Sequence, residues 1–177
     1  ALALHRRLLS PDPAGLADTL RVVGVALHEK GDYAAAEPLL RESLGIQRNP
    51  GSPPSATLAA TLTALGATLN EIGKADEAEP LLREACDRVS AARGPDHWRT
   101  GNARSHLGDC LRRLGRLRDS EGELLEAHRV LSTAREPRDV YLSRTMERLA
   151  ALYESWESAE PGHGYAAQAA TWRAKLA

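Results

Sequence analysis

Apolar residues recur along this chain at helical spacing, in stripes separated by short polar stretches. One stripe runs through Leu16, Leu20, Val23 and Leu27, and a second through Leu58, Leu62, Leu65 and Leu69. Shorter stripes follow at Leu107 and Leu111, then at Met146, Leu149 and Tyr153. Steps of three and four residues place each set on one face of a helix. First helices are predicted over roughly 14–30, 56–72, 98–114 and 139–156. Second helices are predicted over roughly 33–48, 75–92, 117–134 and 164–176.

The pattern repeats. Glu37-Pro38-Leu39-Leu40-Arg41-Glu42 returns 42 residues later as Glu79-Pro80-Leu81-Leu82-Arg83-Glu84, with a weaker echo at Glu121 to Glu126. Pro11, Pro53, Pro95 and Pro137 share that spacing, as do Gly24, Gly66, Gly108 and Ala150. A glycine inside a helix costs roughly 0.5–1 kcal/mol against alanine. Its return in register predicts that a neighbouring helix passes close by. Gly31, Gly73 and Gly115 are expected to end the first helices, and Asp12 and Asp96 to cap helix starts. Pro38 and Pro80 should bend the second helices slightly. Arg104 stands at a core position, in register with Leu20, Leu62 and Met146. Its stem can lie on apolar surface if its head reaches an acid or a groove.

A fixed period of this length marks a stack of repeats. We read residues 1–177 as one repeat domain: 1–10 close a preceding repeat, 11–52, 53–94 and 95–136 are full repeats, and 137–177 form a divergent cap. Aligning Tyr165 with Tyr33 puts about six extra residues in the last turn. The start in mid-repeat, without methionine, leads us to expect a longer parent chain.

Composition narrows the chemistry. Net charge is −1, so neither nucleic acid nor a membrane surface is expected as partner. Phe is absent and aromatics make up 4%, so Leu, Ala and Val must build the core. Two cysteines give no disulfide framework and fit a reducing, cytoplasmic compartment. There is no phosphate-cradling glycine loop, nucleophile elbow or paired-histidine zinc motif. His106 and Cys110 share a helix face, with Cys86 on the helix before, but no second pair completes a metal site. They read as two buried thiols beside a surface histidine. Arg112, Arg113, Arg116 and Arg118 lack interleaved aromatics and read as a solvated face. Trp98, Trp156 and Trp172 read as packing or cap residues. No cofactor or metal is expected.

The order Gly24, Leu27, Gly31, Tyr33, Ala36, Leu40 resembles the tetratricopeptide repeat. The 42-residue unit, Gly94-Pro95-Asp96-His97 and Ala36-Glu37-Pro38-Leu39-Leu40 resemble its kinesin-light-chain type. That resemblance implies an all-α, right-handed superhelical solenoid of antiparallel helix pairs, with about four repeats and an N-terminal orphan helix. It implies a non-catalytic scaffold that binds protein or peptide on its concave face, lined by the first helices. By register that groove offers Arg21, Val25 and His28, then Thr63 and Asn70, then Asn102, Ser105, Asp109 and Arg112, then Arg144 and Glu147. Val25 and Ala64 stand where the chaperone-binding members carry clamp asparagines, so that carboxylate clamp does not carry over. The asparagine typical of kinesin-light-chain repeats is also replaced, by Val22, Ala64, His106 and Arg148. The arginines favour an acidic, extended or helical peptide, with the fragment monomeric. Arg144 to Leu149, Tyr153-Glu154 and Trp172 to Leu176 resemble the C-terminal end of bacterial serine/threonine kinases with such repeats. The alternative function is therefore a regulatory or docking arm of an enzyme; a structural spacer is the third reading.

Overall fold

In the computed structural model, residues 13–49, 57–133 and 139–176 are described. They contain eight helices: α1 (Pro13–Glu29), α2 (Tyr33–Gln47), α3 (Leu58–Glu71), α4 (Ala75–Arg93), α5 (Trp98–Arg113), α6 (Leu117–Thr133), α7 (Asp139–Ala159) and α8 (Tyr165–Ala174). No strand occurs among the described residues. The expected helix end over residues 1–9, Asp12 and the prolines at 11, 53 and 137 lie outside them. The chain divides into two compact units between Ala85 and Cys86, inside α4.

In unit 1, α1 pairs with α2, and α3 with the first part of α4. Each pair is seated by a leucine against a glycine. A Cβ on Gly24 would stand 2.7 Å from Leu40 Cγ, and one on Gly66 2.5 Å from Leu82 Cγ. Leu20, Leu40, Leu62, Leu69 and Leu82 are fully buried around these contacts. Ser43 donates to the Ala17 carbonyl at 2.7 Å and ties α2 to α1. The turns close as the register predicts. Gly31 and Gly73 take φ of 81° and 78°. The amides of Asp32 and Lys74 then reach back to the carbonyls of Leu27 and Leu69, at 2.9 and 2.8 Å. This is the six-to-one bond that satisfies a helix's last carbonyls. Asp32 also caps α2 by accepting from the Ala35 amide. Pro38 and Pro80 are each the sixth residue of their helices, and both are exposed.

Along the second helices runs a ladder of ion pairs. Arg41 bridges Glu37 and Glu77, Lys74 reaches Glu37 at 2.9 Å, and Arg48 reaches Glu84. The Lys74 hydrogen bond, aided by Arg41, holds the Glu37 carboxyl below its ordinary range against a modest burial cost. Such exposed pairs contribute only about 0–1 kcal/mol each. They align α2 with α4 rather than hold them.

Unit 2 repeats the device and then departs from it. A Cβ on Gly108 would stand 2.5 Å from Leu124 Cγ, and Gly115 takes φ of 75° to end α5. Ser120 occupies the register of Ala36 and Ala78, and its hydroxyl donates to the Gly108 carbonyl at 2.7 Å. The cap of α5 differs from the sequence expectation. His97 fills it, accepting from the Arg99 amide at 3.1 Å, while Asp96 pairs with Arg129 at 2.6 Å. An extended backbone at residue 97, with φ −76° and ψ 138°, places the histidine ring rather than the aspartate over the first turn.

The last pair is built on rings. Trp156 stacks on Tyr165 at 4.7 Å and lies parallel to Tyr153, inside a core cluster with Leu124, Leu149 and Leu152. Tyr153 donates its hydroxyl to Glu121 at 2.6 Å. Burial, then that carboxylate, push its phenol well above the ordinary value. The inserted turn is held by Glu157, which accepts from the amides of Gly162 and Ala166. α8 opens at Tyr165 as α2 opens at Tyr33, and Trp172, in the register of Leu40, is half-buried against the cluster.

Arg104 carries out the expected compromise. Its head meets Glu123 at 2.7 Å, with the two side chains 30% and 25% exposed. Glu123 lies in register with Leu39 and Leu81. An ion pair has thus replaced a leucine pair between first and second helix.

Two outcomes follow for stability. Gly66→Ala gains roughly 0.5–1 kcal/mol in helix propensity but forces Leu82 to move, at a cost of about 1–3 kcal/mol. The net should be a loss, read as a lower urea midpoint. Gly45→Ala, with nothing within 4 Å of the new methyl, should gain stability. Equal effects at both sites would contradict the packing role of Gly66. At the second position, Glu123→Leu alone should destabilise by leaving Arg104 half-buried without its acid. The double change Arg104→Leu with Glu123→Leu should restore or exceed the parent's stability. A double variant no better than the single one would show that the pair is not a substitute for leucines.

Candidate binding face

The first helices of each unit meet through polar side chains as well as leucines. In unit 1, His28 of α1 lies 3.1 Å from the Thr68 hydroxyl of α3. Thr68 spends its one proton on the Ala64 carbonyl at 2.8 Å, so His28 Nδ1 must be the donor. Arg21 is bonded twice to Asp18, at 3.2 and 2.7 Å. Thr63 donates to the Ala59 carbonyl, and Val25 is half-buried. Asn70 is only 1% exposed, so it sits behind the surface.

In unit 2 the links between α5 and α7 form a directed chain. Thr145 donates to the Tyr141 carbonyl at 2.7 Å, which leaves its oxygen as acceptor. Ser105 therefore donates to Thr145 at 2.8 Å, and Arg148 donates to Ser105 at 2.8 Å. A second donor of Arg148 reaches His106 Nδ1 at 3.0 Å. Arginine can only donate, so that ring nitrogen carries no proton. Such chains reinforce each bond in them. At the start of both helices Trp98 stacks on Tyr141 at 5.4 Å, a packing role.

One turn further along α5 lies a charge cluster. Asp109 is 5% exposed. One carboxylate oxygen accepts from Arg112 at 3.1 and 2.8 Å, and the other from Arg113 at 2.9 Å. Burial pushes the Asp109 carboxyl up, but Arg112, Arg148 and Arg113 outweigh it and hold it below the ordinary range. Arg112 extends to Ser155 of α7 at 3.4 Å, and Ser155 passes its proton to the Ala151 carbonyl.

The candidate residues thus divide by depth. Asn70, Ser105 and Asp109 are buried, Arg144 and Glu147 lie nearer the surface on α7, and Arg21, Val25, His28, Thr63, Asn102 and Arg112 are partly buried. Register alone missed Thr145, Arg148 and Ser155. The one signal for Arg148 was its place at the register of a family asparagine. A cleft of about 300 Å³ opens beside Trp156 and Glu160, but its facing charges, Arg116 and Asp119, already bond each other at 2.6 Å. Cys86 and Cys110 are buried thiols with no disulfide. Among the described residues no cluster of His, Cys, Asp and Glu could hold a metal, and no helix is long and apolar enough to cross a membrane.

Two tetratricopeptide repeat models match the chain, over residues 16–49 and 57–131, together more than half of it. The chain belongs to the tetratricopeptide repeat family. Among solved structures it is similar to BtubC (BKLC) from P. vanneervenii, at 19% identity and TM-score 0.75, over 99% of this chain and 70% of that one. It is also similar to a kinesin-light-chain-type protein of Podosopora anserina with nearly identical TPR-like repeats, at 15% identity and TM-score 0.68, over 94% of this chain and 79% of that one. A single-substitution form of that protein gives 16% identity and TM-score 0.70, over 98% and 82% of the two chains. No curated protein matches. At these identities the likeness is one of fold: an all-α tetratricopeptide solenoid with repeats of the kinesin-light-chain type. Tetratricopeptide repeats generally mediate protein–protein interaction and scaffolding, and their fold is generally non-catalytic.

Asp109 offers a test of the cluster in this tetratricopeptide repeat protein. Asp109→Asn removes the anion that two arginines share and should cost about 1–3 kcal/mol at neutral pH, measured by urea denaturation. The group's folded pKa is depressed. Its contribution is therefore full above the unfolded carboxylate pKa and is lost as pH falls through the folded value. The gap between variant and parent should narrow below about pH 4. A gap unchanged down to about pH 2, well under the ordinary carboxylate range, would exclude the charge as its origin.

Proposed function

We propose that the first-helix face is a binding surface for an extended or helical peptide segment bearing acidic residues. The observation that supports this most is the Asp109 cluster. A buried carboxylate holds two arginines whose side chains remain 21% and 28% exposed. Arginine presents a planar fork matched to carboxylates. Asn102, Thr63 and Val25 are half-buried on the first helices of their own units and can contact a peptide backbone. Asn70, Ser105 and Asp109 then act from beneath the surface, by orienting what lies above them. The cytoplasmic setting and the monomeric state belong to this reading, as do partners that are neither nucleic acid nor membrane. The docking-arm alternative uses the same surface for a partner on the parent chain, and it draws on the resemblance of the C-terminal segment to repeat-bearing bacterial kinases.

Reversing Arg21, Arg112 and Arg144 to glutamate, one at a time, tests the face in each unit separately. With the fold confirmed by melting, at least one reversal should weaken capture of the partner isolated from native lysate by about tenfold or more, the scale of a lost charge-assisted pair. Parent affinity should also fall with added salt. Binding indifferent to all three reversals and to salt would move the partner to another face.

A further inference from the structure

Within each unit, one stripe of a first helix meets the first helix that follows. On α5 this stripe is Trp98, Asn102, Ser105, Asp109 and Arg112. α7 packs along it: Trp98 stacks on Tyr141, Ser105 bonds to Thr145 and Arg148, and Arg112 reaches Ser155. These contacts advance together along both helices, so α5 and α7 run parallel. In unit 1, His28 ends the same stripe on α1 and meets Thr68 of α3. On α7 the register places Val140, Arg144, Glu147, Ala151 and Glu154 there. The first three are exposed, Val140 by 60%. Glu154 is committed to Arg173. Arg144 and Glu147 bond to no described residue, nor to each other.

We infer that this exposed stripe of α7 receives a partner helix, seated as α7 is seated on α5. That helix carries an apolar, an acidic and a basic residue at the positions that Tyr141, Thr145 and Arg148 hold on α7. The inference rests on the peptide-binding reading of the first-helix face and narrows it to a helical segment on α7. The apolar residue covers Val140, as Tyr141 covers Trp98. The acid faces the turn that holds Arg144, and the base meets Glu147, as Arg148 meets Ser105. Opposite charges one turn apart also fix direction, because a helix laid the other way round brings like charges together. A second copy of this chain lacks the matching charges. Seated in the same way, its α1 would bring Val22 opposite Glu147 and Glu29 opposite Glu154. The first offers no cation and the second repels.

Two peptides of one composition test this by fluorescence anisotropy on the whole 177-residue protein. Both carry leucine, glutamate and lysine on one helical face, in steps of four and three residues, with a hydrocarbon staple on the other face. The first has the order Leu-Glu-Lys, and the second has its charges exchanged. The first should bind on the order of fivefold tighter, because the exchange turns exposed attractions into repulsions. Added salt should narrow that gap. The double reversal Arg144→Glu with Glu147→Arg alters only exposed positions and should invert the preference. A proline at the centre of the first peptide should abolish its binding. Equal binding of the two peptides overturns the inference. So does a preference that the double reversal leaves unchanged, or a proline form that binds as well as its parent. Failure of both peptides to bind overturns it too. None of these outcomes removes the acidic-peptide surface, which is judged by the reversals at Arg21 and Arg112. Dimers of the parent protein in light scattering that the double reversal dissociates would make the occupant a second copy, and would overturn the inference as well.

Discussion

Everything in this chain depends on how closely two helices of a pair can approach. A leucine on the second helix, Leu40, Leu82 or Leu124, occupies the volume that a side chain at Gly24, Gly66 or Gly108 would need. Removing the Cβ lets the backbones close, and the leucine is then fully buried. The helix-propensity cost of glycine is below the transfer free energy of a buried leucine, about 1.5–3 kcal/mol, so the exchange is favourable. It also orients the pair. Once the glycine face is turned inward to the second helix, the residues on one flank of it, His28 beside Gly24 and Ser105 and Arg112 beside Gly108, are turned toward the neighbouring first helix.

That orientation explains why polar groups gather between first helices. A hydroxyl or guanidinium placed there is partly desolvated and must find partners. In unit 2 it finds them in sequence, from Arg148 through Ser105 and Thr145 to a backbone carbonyl. In unit 1 the corresponding seam is bridged between His28 and Thr68. The second helices contrast with this. Their ion pairs are exposed and neutralise one another, which leaves that face with little directional chemistry.

The third repeat departs from its neighbours twice: one departure replaces leucines with charge, and the other puts Asp109, Arg112 and Arg113 where the first two repeats carry Val25 and Ala67, His28 and Asn70, and Glu29 and Glu71. Arg104 and Glu123 stand where the other full repeats carry leucines, and their pairing keeps the helix contact without the apolar area. Asp109 with Arg112 and Arg113 does something different. It places a buried carboxylate beneath two partly exposed arginine side chains. The fourth repeat solves another problem. An inserted turn separates its helices, and stacked rings with a carboxylate bridge across that turn hold them together.

The sequence by itself determined the helices, their turns and their pairing. Those features follow from local geometry: apolar spacing at the helical period, glycines where φ is positive, and a 42-residue register that makes each position an independent copy of the same constraint. It also identified Arg104 as an oddity, because a charged residue broke a register of leucines. Tertiary structure alone decided the depth of the polar residues on the first helices. Asn70, Ser105 and Asp109 share registers with half-buried residues, yet they are buried. Thr145 and Arg148, which partner Ser105, lie 40 and 43 residues away on another helix. Helical periodicity reports which way a side chain leaves its own helix. Whether it then meets water or a hydroxyl depends on the rotation and spacing of the next helix, and no single stretch of sequence carries that quantity.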